Sequence, residues 1–261
     1  MRLKIADTDE NKSGNEAPPI YDNSLYRRWI IRPIAKRIAP GLVSAGLTGN
    51  GVCWVKLWFG LAGAVLLASK SAEVCFLGML LLQANFLLDA ADGEVARLRG
   101  EAAKLSGEFL DKLFDHLPKT AMYFFWGYGT YRLTGMQLPI FCGVFLAAWN
   151  IFPRFCCVET LLERLDKAPH VAEKPDFHKA VGESFVVKKE RGGTDFVLTL
   201  LVHPAMNLLT IFFVIEIFYS RMTWGNFGIE TRYALLIVYT IVGASNFIRK
   251  SVKFYRVLDF S

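Results

Sequence analysis

Asp89, Asp92, Asp111 and Asp115 stand within one stretch, "LLDAADGEVARLRGEAAKLSGEFLDKLFDH" at 87–116. The first two are three residues apart and the last two are four apart, so each pair shares a face if its segment is helical. Brought together, the pairs repel and would take up protons unless cations neutralise them. A set of oxygen ligands, with no cysteine in the stretch and only His116 adjacent, favours Mg2+ or Mn2+ over zinc. Magnesium seldom fills its coordination shell from protein alone and commonly takes phosphate oxygens. The chemistry indicated is therefore phosphoryl transfer on a phosphorylated substrate, with two ions as the natural arrangement. The plainer alternative is a solvated turn whose carboxylates pair with Arg97, Arg99, Lys104 and Lys112.

The elements that must position these carboxylates are set by what precedes them. An aspartate at the centre of a membrane helix costs roughly 2.5–3.5 kcal/mol, so four beside an apolar run call for water, partners or metal. The run is expected to continue as a helix past the lipid edge, carrying Asp89 and Asp92. A turn around Gly100 then reverses the chain, and the next helix carries Asp111 and Asp115. Gly93, Ala96 and Gly107 remove bulk where these antiparallel neighbours approach.

The wider composition fits a membrane bundle. Of 261 residues 53% are hydrophobic and 14% aromatic, and apolar windows at 60–69, 74–88, 138–152, 196–218 and 234–247 each extend to a span. With 107–131, polar at its start and aromatic at "YFFWGYGTY", there are six. The first contains Lys56, expected near one end with its ammonium reaching the headgroups. Lys and Arg collect on one side, in the N-terminal arm, the turn after span two, the 160–195 connection and the tail. The other side offers Lys70, Arg132, Arg221 and Arg232 in its loops. Both termini and the aspartates are thus assigned to the cytoplasm, and the net charge of +6 suits an anionic membrane face. The basic residues flank spans without a nucleic-acid signature, so no nucleic acid is expected. Cys53, Cys75, Cys142, Cys156 and Cys157 show neither disulfide nor metal spacing and read as buried hydrophobes. No cleavable signal peptide is evident.

Along the chain, residues 1–24 read as a mobile polar segment and 25–45 as an amphipathic helix on the membrane surface, begun or bent at Pro33. "GLTGNG" at 46–51 supplies a turn. Residues 46–261 form the six-helix domain, whose connection at about 160–195 is expected to cover one side of the site.

"DAADGEVAR" followed by "GEFLDKLFD" resembles the signature of the CDP-alcohol phosphotransferases, Asp-x-x-Asp-Gly-x-x-Ala-Arg, spacer, Gly-x-x-x-Asp-x-x-x-Asp. The spacer at 98–106 is one residue longer than usual. "LTGN" at 47–50 is similar to the family's Leu-Thr-Pro-Asn, with Gly49 in place of proline. The resemblance implies an all-α, polytopic membrane enzyme, a transferase of substituted phosphate groups in phospholipid biosynthesis. It would displace CMP from a CDP-alcohol, such as CDP-diacylglycerol, by attack of an acceptor hydroxyl. It also implies that Asp89, Asp92, Asp111 and Asp115 hold two Mg2+ or Mn2+ ions, and that Asp115 is the general base. Gly93, Ala96, Arg97, Gly107 and Asn50 would bind the nucleotide. The expected partners are the CDP-alcohol donor, a small or lipid alcohol acceptor and membrane lipids, with a second copy of the chain as a candidate.

An acceptor phosphate would find cations at Arg154, Lys188, Lys189 or Arg191, with His116 close to Asp115. Each of these cations also reads as an interfacial anchor. His170 and His178 read as solvated and His203 as packed. Glu216 should face the bundle interior, and Asn85, Asn150 and Asn246 should bond between helices. Two alternatives share the sequence: the same fold with a CDP-linked polyol such as CDP-inositol as donor, and a cation transporter or channel. Transport predicts carboxylates spread through several spans rather than gathered at one edge.

Overall fold

A computed structural model describes residues 27–101, 105–151, 205–221 and 227–259, and every regular element among them is helical. A short π-helical turn, Arg27–Ile31, leads into α1, Arg32–Ser44, which Pro33 begins rather than bends. The bundle follows as α2, Gly49–Leu66; α3, Ala72–Leu98; α4, Leu105–Thr134; and α5, Leu138–Ile151. Beyond the undescribed 152–204 come α6, Ala205–Arg221, and α7, Phe227–Asp259.

Local chemistry sets the helix ends. Thr48 Oγ1 accepts from the Gly51 amide at 3.0 Å to cap α2, and Ser71 Oγ does the same for the Val74 amide of α3. Gly100 takes the left-handed conformation at φ +64°, and the Glu101 amide bonds back to the Ala96 carbonyl at 2.9 Å. This cap closes α3 and reverses the chain where the sequence calls for a turn. At 27 residues α3 is about 40 Å long, more than a bilayer's hydrocarbon core of about 30 Å. Its last turns, which carry the aspartates, have length to spare.

Among the described residues α2 and α3 are long and apolar enough to cross a membrane. They cross at Gly63 and Gly78, where a Cβ on either would stand 2.6 Å from the other's carbonyl oxygen. A core of Ala64, Met79, Leu82, Trp126, Phe213 and Leu236 joins α2, α3, α4, α6 and α7. A smaller one, Ala39, Val52 and Val95, seats α1 on α2 and α3, while Trp29, Ile30 and Ile34 stay exposed. Asn85 and Asn150 bond across helices as expected, Asn85 to the Lys56 carbonyl and Asn150 to the Thr120 hydroxyl. Cys53, Cys75 and Cys142 are buried free thiols.

Two placements correct the sequence expectations. Lys56 does not reach outward to headgroups: it lies mid-helix in α2, is fully buried, and points into the bundle. Arg232 is not a loop residue. It lies in α7, 1% exposed, and pairs with Glu216 of α6, which faces inward as expected. In both cases a carboxylate within the bundle satisfies the cation better than the bilayer edge would. Residues 1–24, the 160–195 connection, Cys156, Cys157, His170, His178, His203 and the side chain of Asn246 lie outside the described residues.

Candidate metal and phosphate site

After the turn at Gly100 the chain returns as α4, and α2 packs against both α3 and α4, standing between the two helices that carry the aspartates. The convergence point is the ammonium of Lys56. Its Nζ is 2.8 Å from Asp89 Oδ1, 3.3 Å from Asp92 Oδ2, 2.6 Å from Asp111 Oδ1 and 3.2 Å from Asp115 Oδ1. The four aspartates predicted to act together therefore do meet, two from each helix. One positive charge faces four negative ones, and Lys119 adds only a longer contact to Asp115 Oδ2 at 3.9 Å. An excess of negative charge at this spacing is stable only with further cations or protons.

Accessibility divides the cluster. The Asp89 and Asp92 side chains are 10% and 12% exposed, whereas Asp111 and Asp115 are 47% and 32% exposed. The α4 carboxylates thus form the open side. Ligand atoms of Asp89, Asp111 and Asp115 lie within 4.8 Å of one another, and so do those of Cys53, Asp92 and Asp111. Each group could hold a metal ion, and Asp111 belongs to both. The Cys53 thiol, which donates to Asp92 Oδ2 at 3.3 Å, borders the cluster in a way the sequence spacing did not suggest.

Gly107 and Ala96 meet α2 rather than each other. A Cβ at Gly107 would stand 3.3 Å from Asn50 Oδ1, and one at Gly49 would stand 3.1 Å from the Ala96 Cβ. The close approaches expected between α3 and α4 are therefore made by each of them with the start of α2. Gly93 faces open space, where a Cβ would meet only the Arg97 guanidinium at 3.8 Å. Arg97 is exposed and paired with Glu94 at 2.8 Å. Of the positions expected to take a nucleotide, Gly107 thus faces Asn50, Ala96 faces Gly49, and Gly93 and Arg97 stand open. The loop before α2 is latched there: Glu101 Oε2 accepts from the Gly49 amide at 3.1 Å, and Arg99 reaches the Leu47 carbonyl.

His116 is half-buried beside Asp115. Arg154, Lys188, Lys189 and Arg191, the candidate acceptor cations, lie outside the described residues. The residue that sequence reasoning missed is Lys56. Its signal was present as the lone charge in the middle of an apolar span, which is a functional position by default.

The family model for CDP-alcohol phosphatidyltransferases matches residues 47–165, a stretch that takes in α2 to α5 and every aspartate of the cluster. No curated protein matches the chain.

Proposed function

From the premise that residues 47–165 form a CDP-alcohol phosphatidyltransferase domain, we propose that this chain is a six-span membrane enzyme working at the cytoplasmic face. It transfers the phosphoryl-linked group of a CDP-alcohol, in the first instance CDP-diacylglycerol, to an acceptor alcohol and releases CMP. The observation that carries this reading is the convergence of Asp89, Asp92, Asp111 and Asp115 from two helices onto one point, with carboxylates in excess.

The donor set fits the divalent ions that such chemistry uses: four carboxylates in two overlapping groups, one of which the Cys53 thiol borders, and an open side. Bound there by Asp89, Asp92, Asp111 and Asp115, two Mg2+ or Mn2+ ions would offset charge on the diphosphate and on the departing CMP. The protein's own part is positional. Gly93, Ala96 and Gly107 would line the space for a flat base, with Asn50 and Arg97 at its rim. Asp115, on the open side, accepts the proton of the acceptor hydroxyl. That oxygen attacks the phosphorus nearest the donor's alcohol, and the phosphoanhydride bond to CMP breaks. A site at the end of two apolar helices meets a lipid donor from the membrane and a polar acceptor from water.

The test is release of labelled CMP by the purified full chain with Mg2+ or Mn2+, across lipid and polyol CDP-alcohols. Folded protein that releases CMP from none of them overturns the proposal. Release from CDP-inositol alone replaces the lipid donor with a polyol one.

A further inference from the structure

Lys56 is unlike an ordinary buried lysine. Its ammonium has three donors but stands within 3.3 Å of four carboxylates, so their demand exceeds what it can give. Its backbone is held, since its carbonyl accepts from Asn85 Nδ2 at 2.8 Å. The head is on a flexible four-carbon stem and carries a compact charge, which makes it the movable part. The oxygens it touches belong to the residues of both potential metal groups, Asp89, Asp92, Asp111 and Asp115. An ion entering past the exposed Asp111 and Asp115 would compete with the ammonium for those same oxygens.

We infer that Lys56 is a resident counter-cation of the aspartate cluster, tying α2 to α3 and α4 when no metal is bound and yielding carboxylate oxygens when divalent ions enter. Metal binding is then a cation exchange. The inference rests on the metal reading above and adds a positioning role for an α2 residue outside the aspartate signature. It predicts effects of opposite sign. Without Lys56 the metal-free cluster repels itself and the fold weakens, yet the metal loses its competitor and binds more tightly. A lysine that merely packs, or that orients the ligands for metal, would weaken both on removal.

The experiment measures Mn2+ binding to the purified full chain by the loss of the free-ion electron paramagnetic resonance signal, alongside thermal unfolding in chelator. Lys56→Met is expected to bind Mn2+ at least about tenfold more tightly than wild type, given one fewer positive charge at ion-pair distance. It should unfold at a lower temperature in chelator, with the gap closing at saturating Mn2+. Lys56→Arg keeps the charge in a wider, bidentate head and should bind Mn2+ no more tightly than wild type. It decides the matter if the methionine variant does not fold, since tighter binding by the arginine variant contradicts the exchange. Unchanged or weaker binding by Lys56→Met overturns the inference and leaves the metal reading standing. Wild type that binds no Mn2+ overturns both.

Discussion

Among the described residues two buried cations tie the helices together, and they do so in opposite ways. Arg232 meets one carboxylate: its Nε lies 2.8 and 2.7 Å from the two oxygens of Glu216, and Nη2 adds a third contact at 2.6 Å. The rest of the guanidinium is used as well, on the Ser69 carbonyl at 3.3 Å and over the Phe213 ring at 5.0 Å. Charge balances and donors are occupied. At the other site one ammonium serves four carboxylates, two of them substantially open. A balanced, closed pair can fix the register of α6 and α7 against the loop after α2, but has nothing left to offer a ligand. The unbalanced cluster is poor as a structural device and suited to recruiting cations. The same comparison weakens the transporter alternative, because the acidic group placed deep in a second part of the bundle, Glu216, is already neutralised.

The largest expected effect tests the functional side. Asp115→Asn should lower CMP release by about 10²–10⁴-fold, the range of a lost general base. Metal-free stability should not fall, because one surplus charge has been removed; thermal unfolding in chelator checks this. Removing a carboxylate from the balanced pair should do the reverse. Glu216→Leu leaves Arg232 buried and unpaired, and is expected to cost about 3–5 kcal/mol of stability. Glu216→Leu with Arg232→Met should recover most of that loss and retain CMP release at temperatures where the protein is folded. If Asp115→Asn destabilises as strongly as Glu216→Leu, the distinction between a functional and a structural cluster is lost.

The two sites also differ in how far they could be read from the residues. Asp89 with Asp92, and Asp111 with Asp115, stand in spacings whose consequences are local, so each pair could be read as sharing a helix face, while the point where the pairs meet is Lys56 of α2. The family match spans 47–165 and so includes all four aspartates. Lys56 and Arg232 were misplaced because an isolated charge in an apolar run is naturally assigned to the nearest membrane edge. Its actual partner is 33 to 59 residues away for Lys56 and 16 for Arg232, on another helix in each case. Nothing in a hydropathy window reports such a partner. The glycines were read as small for the right reason but with the wrong neighbour, since α2 and not the opposing signature helix comes close.

That approach of α2 can be perturbed without touching a charge. A Cβ at Gly60 would stand 2.6 Å from the Cβ and 2.7 Å from the Cγ of Pro118, a ring that cannot swing aside. Gly60→Ala should therefore push α2 from α4 near Asp115, at a cost of about 1–3 kcal/mol. Because the same displacement moves Lys56 from its carboxylates, metal-free stability should fall more than metal-bound stability. Equal losses in the two states would mean that α2 packs there without bearing on the cluster.

The smallest effect belongs to the exposed counterpart of both sites. Glu101 pairs with Arg99 at 3.1 Å, with both side chains about a third exposed, and an ion pair so placed contributes little by itself. Its other oxygen, however, accepts from the Gly49 amide at the first turn of α2, where a carboxylate also meets the positive end of the helix. Glu101→Leu removes that bond, worth about 1 kcal/mol after screening. The bond fixes the loop that presents Asn50 toward Gly107, so the cost should fall on donor binding. A rise of about fivefold in the donor KM, with kcat and thermal unfolding nearly unchanged, is expected from steady-state CMP release. A fall in kcat instead would place the latch with the balanced, fold-holding pair, because it would mean that the aspartates themselves had moved.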